Sequence, residues 1–134
     1  MAYDETLKSI TLDADDSIGF YTGVPGMRGS LDPNGGKQYY FVDITGAHQA
    51  GLAGAGGDAV GILQNKPQHA GEAATVAISG VSLVVAGGTL AAGDPVSSDG
   101  DGKAIKTTST NVALGRVVIG AAEGELASVL LRMN

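Results

Sequence analysis

The apolar and polar positions of this chain fall into short runs whose spacing predicts β-strands. Residues 39–45 are β-branched and aromatic and lie between Gly36 and Gly46, which is typical of a strand. Residues 127–133 place apolar side chains at every second position, as a strand with one buried face does. About eight to ten such short strands follow from this pattern. We therefore expect an all-β fold without helices, either a barrel or a sandwich.

Two stretches, residues 59–78 and 113–130, resemble one another. Each consists of an apolar strand, a turn containing Gly-Glu and an alternating strand, and Gly61 of the first corresponds to Gly115 of the second. Glu72 and Glu125 occupy equivalent places in the two turns. We expect these glutamates to serve the hairpins rather than to form an acid and base pair.

Glycines predict three further features of the body. Gly80 interrupts an apolar run and predicts a bulge or a corner. The Asp-Gly pairs within residues 99–102 predict a hairpin between two extended segments. Residues 46–58 contain too many glycines for a helix, so a loop or a short irregular strand is expected there.

The front of the chain differs from the rest. All six aromatic residues lie within the first 41 positions. We interpret residues 1–37 as an N-terminal arm with loops, containing at most short strands near residues 7–12 and 18–21, and residues 38–134 as the body. The arm is either a disordered tail or a segment that becomes ordered on a partner, since aromatic side chains are enriched at interfaces.

Composition excludes several classes of function. The eight basic residues are scattered singly and the net charge is −6, whereas binding to phosphate backbones needs clustered cations. The absence of cysteine rules out a disulfide framework, a thiolate metal site and a cysteine nucleophile. No apolar run is long enough for a transmembrane helix, and the amino terminus lacks the pattern of a signal peptide. We therefore expect a soluble protein that is not exported and that contacts neither nucleic acid nor membrane.

Two loops resemble known ligand motifs. Residues 54–59 match the glycine spacing of a dinucleotide-binding loop, but Pro67 follows too soon for the helix that this motif requires. Residues 97–102 resemble part of a calcium loop, but Thr108 stands where the bidentate acidic ligand belongs. A flexible loop and a tight turn are the expected structures.

No set of residues predicts catalysis. His48 and His69 are the only histidines and neither has metal-ligand spacing. No nucleophile elbow occurs. We expect a protein that is not an enzyme and has no cofactor or metal.

The order and spacing of several short motifs give a more specific expectation. They are the string at residues 51–67 (GLAGAGGDAVGILQNKP), residues 70–76 (AGEAATV), residues 90–96 (LAAGDPV), residues 101–103 (DGK) and residues 113–116 (ALGR). Over residues 38–131 the chain resembles the capsid cement, or head decoration, proteins of tailed bacteriophages and prophages. The segment before residue 38 adds little to this resemblance.

The resemblance implies a small β-barrel or β-tulip-like domain, often trimeric, on the outer surface of the capsid. Such a protein would be assembled in the host cytoplasm and would bind the expanded head, bridge neighbouring major capsid subunits and stabilise the shell. Within this picture, we expect residues 1–25 to dock on the capsid or on a neighbouring subunit by adding a strand to an exposed sheet edge. Tyr3, Leu7, Phe20 and Tyr21 are the expected anchors.

Two other functions are considered beside this one. A trimeric β-fold hydrolase resembling dUTPase would carry an Arg/Gly-rich tail with an aromatic residue, whereas this chain ends in residues 129–134 (VLLRMN). A carbohydrate-binding virion surface module would stack sugars on exposed aromatic residues, and none follows Phe41.

Overall fold

The computed structural model describes residues 8–19, 36–108 and 111–131. These residues form nine strands: β1 (Lys8–Ala14), β2 (Phe41–Gly46), β3 (Gln49–Leu52), β4 (Gly61–Leu63), β5 (Ala73–Val85), β6 (Pro95–Ser98), β7 (Ala104–Lys106), β8 (Gly115–Ile119) and β9 (Leu126–Leu131). The all-β expectation is confirmed. Within the described ranges, no helix that could cross a membrane is found.

Five strands close into a ring, which we name the first barrel. β1 pairs in parallel with β3, β3 pairs with β2, β2 with β4, β4 with the first half of β5, and β5 pairs back to β1. Its interior is filled by small and medium aliphatic side chains: Leu12, Ala14, Ile18, Val42, Ala50, Leu63, Ala74 and Val76. The closed ring leaves no free sheet edge among these five strands where they pair.

A second ring, which we name the second barrel, uses the other half of β5. That half pairs with β9, β9 with β8, β8 with β6 and β6 with β7. One parallel bridge between Ala86 and Ala104 returns from β7 to the end of β5. β5 changes partners at Gly80, where φ is 96°. The corner predicted at this glycine is therefore present, and the single long strand belongs to both barrels.

The two barrels are copies of one unit. In the first, Val42 is paired with Gly61 and its carbonyl accepts from the Val60 amide at 3.0 Å. In the second, Val96 is paired with Gly115 and accepts from the Leu114 amide at 2.8 Å. Val42 and Val96, and likewise Val60 and Leu114, are separated in sequence by the same number of residues as Gly61 and Gly115. The hairpin repeat seen in the sequence therefore lies inside a larger duplication.

The duplication includes every residue of the first barrel's core. The corresponding pairs are Leu12 and Val84, Ala14 and Ala86, Ile18 and Leu90, Val42 and Val96, Ala50 and Ala104, Leu63 and Val117, Ala74 and Ala127, and Val76 and Val129. The members of the first three pairs lie further apart in sequence than those of the other five. The reason is that the first copy has a much longer connection between Ile18 and Val42 than the second has between Leu90 and Val96.

The copies differ in how each ring closes. In the first barrel, the Asp13 amide donates to the His48 carbonyl at 2.8 Å, directly across the closing seam. At the same seam in the second barrel, the Val85 amide donates to the Tyr39 carbonyl at 2.9 Å, and the Phe41 amide donates to the Gly102 carbonyl at 2.7 Å. Residues 39–41 of the first copy are thus inserted between β5 and β7 of the second.

This insertion joins the two barrels through hydrogen bonds and through side chains buried between them. Phe41, Ile62 and Ala77 face outward from the first barrel and are buried in the core cluster of the second. The predicted strand at residues 39–45 therefore begins later, at Phe41. Tyr39 precedes it in the left-handed region, with φ 69°, and its carbonyl bonds to the second barrel.

The predicted N-terminal arm is described only at residues 8–19 and 36–37. The strand expected near residues 7–12 is present as β1, which pairs with both β5 and β3. Ile18, expected near the start of another strand, lies in a turn and is fully buried. The boundary at residue 37 stays a prediction, and residues 20–35 lie outside the described part.

Candidate functional site

The glycine-rich segment at residues 54–59 connects β3 to β4 and is not a cofactor cradle. The Gly56 amide donates to the Ser98 carbonyl at 2.8 Å, and the Gly56 carbonyl accepts from the Val112 amide at 3.1 Å. A strand, β4, follows the segment. A pyrophosphate site needs a helix amino terminus at this point, so the segment serves to pack the first barrel against the second.

The loop that resembles a calcium site is held closed by its own carboxylate. Asp99 Oδ1 accepts from the Asp101 amide at 2.8 Å and from the Lys103 amide at 2.9 Å. The Ser98 hydroxyl donates to the Asp99 carbonyl. Within residues 8–19, 36–108 and 111–131, no cluster of three or more His, Asp or Glu side chains could hold a metal ion. The geometry is that of the predicted hairpin turn between β6 and β7.

Each histidine lies beside one carboxylate. His48, in the turn from β2 to β3, has Nδ1 3.4 Å from Asp13 Oδ2, and both side chains are largely exposed. His69 Nδ1 lies 3.1 Å from Glu72 Oε2. The two pairs share no residue and occupy different turns of the first barrel. The structure does not bring His48 and His69 into one site.

The equivalent glutamates cap equivalent turns. Glu72 accepts from the amides of Gln68 and His69, and Glu125 Oε1 accepts from the Ala122 amide at 3.2 Å. In both turns the backbone amide of the glutamate donates to the carbonyl three residues earlier. A carboxylate that satisfies turn amides is a structural group, and the geometry agrees with that expectation.

The expected anchors Tyr3, Leu7, Phe20 and Tyr21 lie outside the described residues. The described aromatic residues are Tyr39, Tyr40 and Phe41. Phe41 and Tyr40 are buried, and the Lys37 ammonium lies 5.4 Å from the centre of the Tyr40 ring. Tyr39 and Phe41 lie at the junction between the barrels, and the Tyr40 carbonyl accepts from the Leu63 amide within the first barrel.

Sequence inspection missed an apolar surface on the second barrel. Side chains of β5, β8 and β9 that point away from the second barrel's core form it, and we name it the outer face: Leu83, Val85, Ile119, Leu126 and Leu130, with Val81 and Ser128 on the same side but buried. Leu126 is 39% exposed and Leu130 45% exposed. The alternation in residues 127–133 predicts a strand with two different sides, and only the buried side of β9 was expected to be apolar.

Comparison with known proteins gives the family. The model of the phage cement protein family matches residues 38–133, which is most of the chain. The chain belongs to the phage cement protein family. It is therefore a structural protein associated with the phage capsid.

A solved structure has the same fold. The N base of the head fiber protein gp8.5 of bacteriophage phi29 superposes with a TM-score of 0.61 over 95% of this chain and 95% of that chain, at 16% sequence identity. At this identity the likeness concerns the fold alone. No curated protein sequence matches the chain.

Proposed function

We propose that the chain is a capsid decoration protein that binds the outer surface of the expanded head, bridges neighbouring major capsid subunits and stabilises the shell. The observation that carries this proposal is the family match over residues 38–133. A protein of this kind needs a rigid body and contact surfaces rather than a catalytic centre.

The tandem barrel supports a bridging role. β5 is shared by both barrels, and residues 39–41 are bonded into the second barrel's seam. Relative motion of the two barrels would break these hydrogen bonds and expose Phe41. The body can therefore transmit force between two capsid subunits, each bound at a different place on the block, without bending between its halves.

We further propose that the N-terminal segment supplies the contact with the capsid or with a neighbouring subunit, with Tyr3, Leu7, Phe20 and Tyr21 as anchors. The protein is a homo-oligomer, either already in solution or only once it is bound to the capsid. The family resemblance favours a trimer. No observation favours a dUTPase-like hydrolase or a carbohydrate-binding module, so neither is proposed.

Binding to isolated heads tests this function. Purified protein is mixed with expanded heads that lack it and, separately, with unexpanded heads, and the mixtures are centrifuged. Saturable co-sedimentation with expanded heads is expected, together with a higher temperature of DNA release. Protein that stays in the supernatant with expanded heads would contradict the proposal.

A further inference from the structure

The first barrel closes over only a short part of β1. Asp13 and Ala14 are paired with β3, whereas β1 already begins at Lys8. Residues 8–12 therefore have β5 on one side and lie beyond the start of β3 on the other. We name this part of β1 the open edge.

The backbone groups of Thr11 point to the open side. Thr11 lies directly opposite Thr75 of β5. The Thr75 amide donates to Asn65 Oδ1 at 2.9 Å, and the Thr75 carbonyl accepts from the Gln64 amide at 2.7 Å. Thr11 and Thr75 are thus a non-hydrogen-bonded pair of an antiparallel ladder, and the Thr11 amide and carbonyl face away from β5. Strand alternation gives Ser9 the same orientation. Both residues are exposed, and among the described residues none bonds to their backbone groups on this side.

The second barrel shows what the fold accepts at this place. Both rings close at equivalent alanine pairs. Beside this closure in the second barrel, the Val85 amide donates to the carbonyl of Tyr39, in the inserted segment. Its counterpart in the first barrel, Asp13, bonds directly across the seam to His48, and the described residues contain no segment inserted there. The fold therefore accommodates extended backbone beside this strand through main-chain hydrogen bonds.

A second copy of the chain does not offer the equivalent segment. Residues 93–95 correspond to residues 39–41, but Pro95 has no N–H at the third position, whose amide donates in residues 39–41. The Gly93 carbonyl is already bonded within its own barrel, because it accepts from the Arg116 guanidinium at 3.1 Å. The partner that adds to the open edge is therefore a different protein.

We propose that an extended segment of a major capsid subunit adds to the open edge through backbone hydrogen bonds to Ser9 and Thr11. The proposal rests on the proposed function, which makes the capsid subunit the partner. Because β5 fixes β1 in the barrel, the added strand comes from the partner and not from the arm.

Charges at the two ends of the open edge define the segment. Lys8 is exposed at one end. The Asp13 side chain is 55% exposed at the other and contacts His48 through Oδ2, which leaves Oδ1 to accept from a cation. A complementary segment carries an acidic side chain beside Lys8 and a basic one beside Asp13.

Thr11→Pro tests the main-chain bonds. It removes the outward amide and no bond to β5, and strand edges tolerate proline where the N–H faces solvent. Binding to expanded heads, measured by co-sedimentation, should weaken roughly tenfold, because a carbonyl of the partner segment loses its donor. The matched control is Thr11→Val, which keeps the amide and should bind like the parent. Urea denaturation verifies that both variants are folded.

Hydrogen exchange tests the same bonds in the unsubstituted protein. The protein is exchanged in heavy water, free or bound to expanded heads, then released, and its amides are measured by NMR. The amides of Ser9 and Thr11 should exchange rapidly in the free protein and become protected on heads, whereas the Leu12 amide, which faces β5, is protected in both. Unchanged exchange of Ser9 and Thr11 in head-bound protein would overturn the edge contact alone. A parent protein that does not bind heads would overturn both this contact and the proposed function.

Discussion

At the scale of single residues, two equivalent glycines allow the strands of each barrel to approach closely. A Cβ atom at Gly61 would clash with the carbonyl oxygen of Ala77, and one at Gly115 with the carbonyl oxygen of Leu130. The added Cβ would also lie 2.9 Å from a valine Cγ1 in both cases, from Val76 at Gly61 and from Val129 at Gly115. The sequence showed the spacing of these glycines, but their role depends on pairing that is not local.

We predict that Gly61→Ala and Gly115→Ala each lower the free energy of unfolding by about 2–4 kcal/mol, because backbone carbonyls cannot move aside as side chains do. Urea denaturation measures the change. Gly88→Ala is the control, since an added Cβ there meets nothing within 4 Å. Equal stability of all three variants would show that the close approach does not constrain the strands.

The aromatic residues show where residue-level prediction succeeded and where it failed. The run at residues 39–45 correctly predicted a strand, but not that Tyr39 and Phe41 bond to the other barrel. Aromatic enrichment indicates a contact surface without identifying which one. Here the contact is intramolecular for the described aromatic residues, and the roles of Tyr3, Leu7, Phe20 and Tyr21 stay proposals.

At the scale of elements, the strands and the turns were predictable because both depend on residues that are close in sequence. Sharing of β5 between two rings was not, since it follows from pairing between distant strands. In the sequence, the duplication was recognisable only between residues 59–78 and 113–130, where Gly61 corresponds to Gly115. The second, larger offset, from Ile18 to Leu90, is hidden by the longer connection in the first copy.

The capped turns give an element-scale prediction. Glu72→Ala and Glu125→Ala each remove the acceptor for turn amides, and we expect losses of about 1 kcal/mol in unfolding free energy. The loss should be larger at Glu72, whose carboxylate accepts from two amides and also contacts the His69 ring. Thermal unfolding measures both. A larger loss at Glu125 would contradict the hydrogen-bond assignment.

Two deletions in the N-terminal segment distinguish an effect on folding from an effect on binding, because β1 begins only at Lys8. Deletion of residues 2–12 removes most of β1 together with buried Leu12, so we expect loss of cooperative unfolding in circular dichroism melts. Deletion of residues 2–7 leaves β1 intact and should unfold like the parent.

The shorter deletion also tests the arm, because it removes Tyr3 and Leu7 without opening the first barrel. Co-sedimentation with expanded heads should then fall at least several-fold. Full binding by this folded variant would exclude both residues as anchors.

At the scale of the whole molecule, the chain is one block of two barrels with unlike surfaces. At paired positions outside the cores, the first barrel carries polar and small residues where the second carries mostly large aliphatic ones, although every residue of the first barrel's core has a counterpart in the second. The two barrels therefore offer surfaces of different chemistry. Bridging between capsid subunits, which we propose, requires contact at two places on the molecule.

A cryo-EM map of expanded heads incubated with the purified protein shows directly whether it bridges capsid subunits. We expect density for the tandem barrel on the outer surface, in contact with two neighbouring major capsid subunits, and no such density on heads without the protein. Heads without added density, or with density that contacts only one capsid subunit, would exclude the proposed bridging.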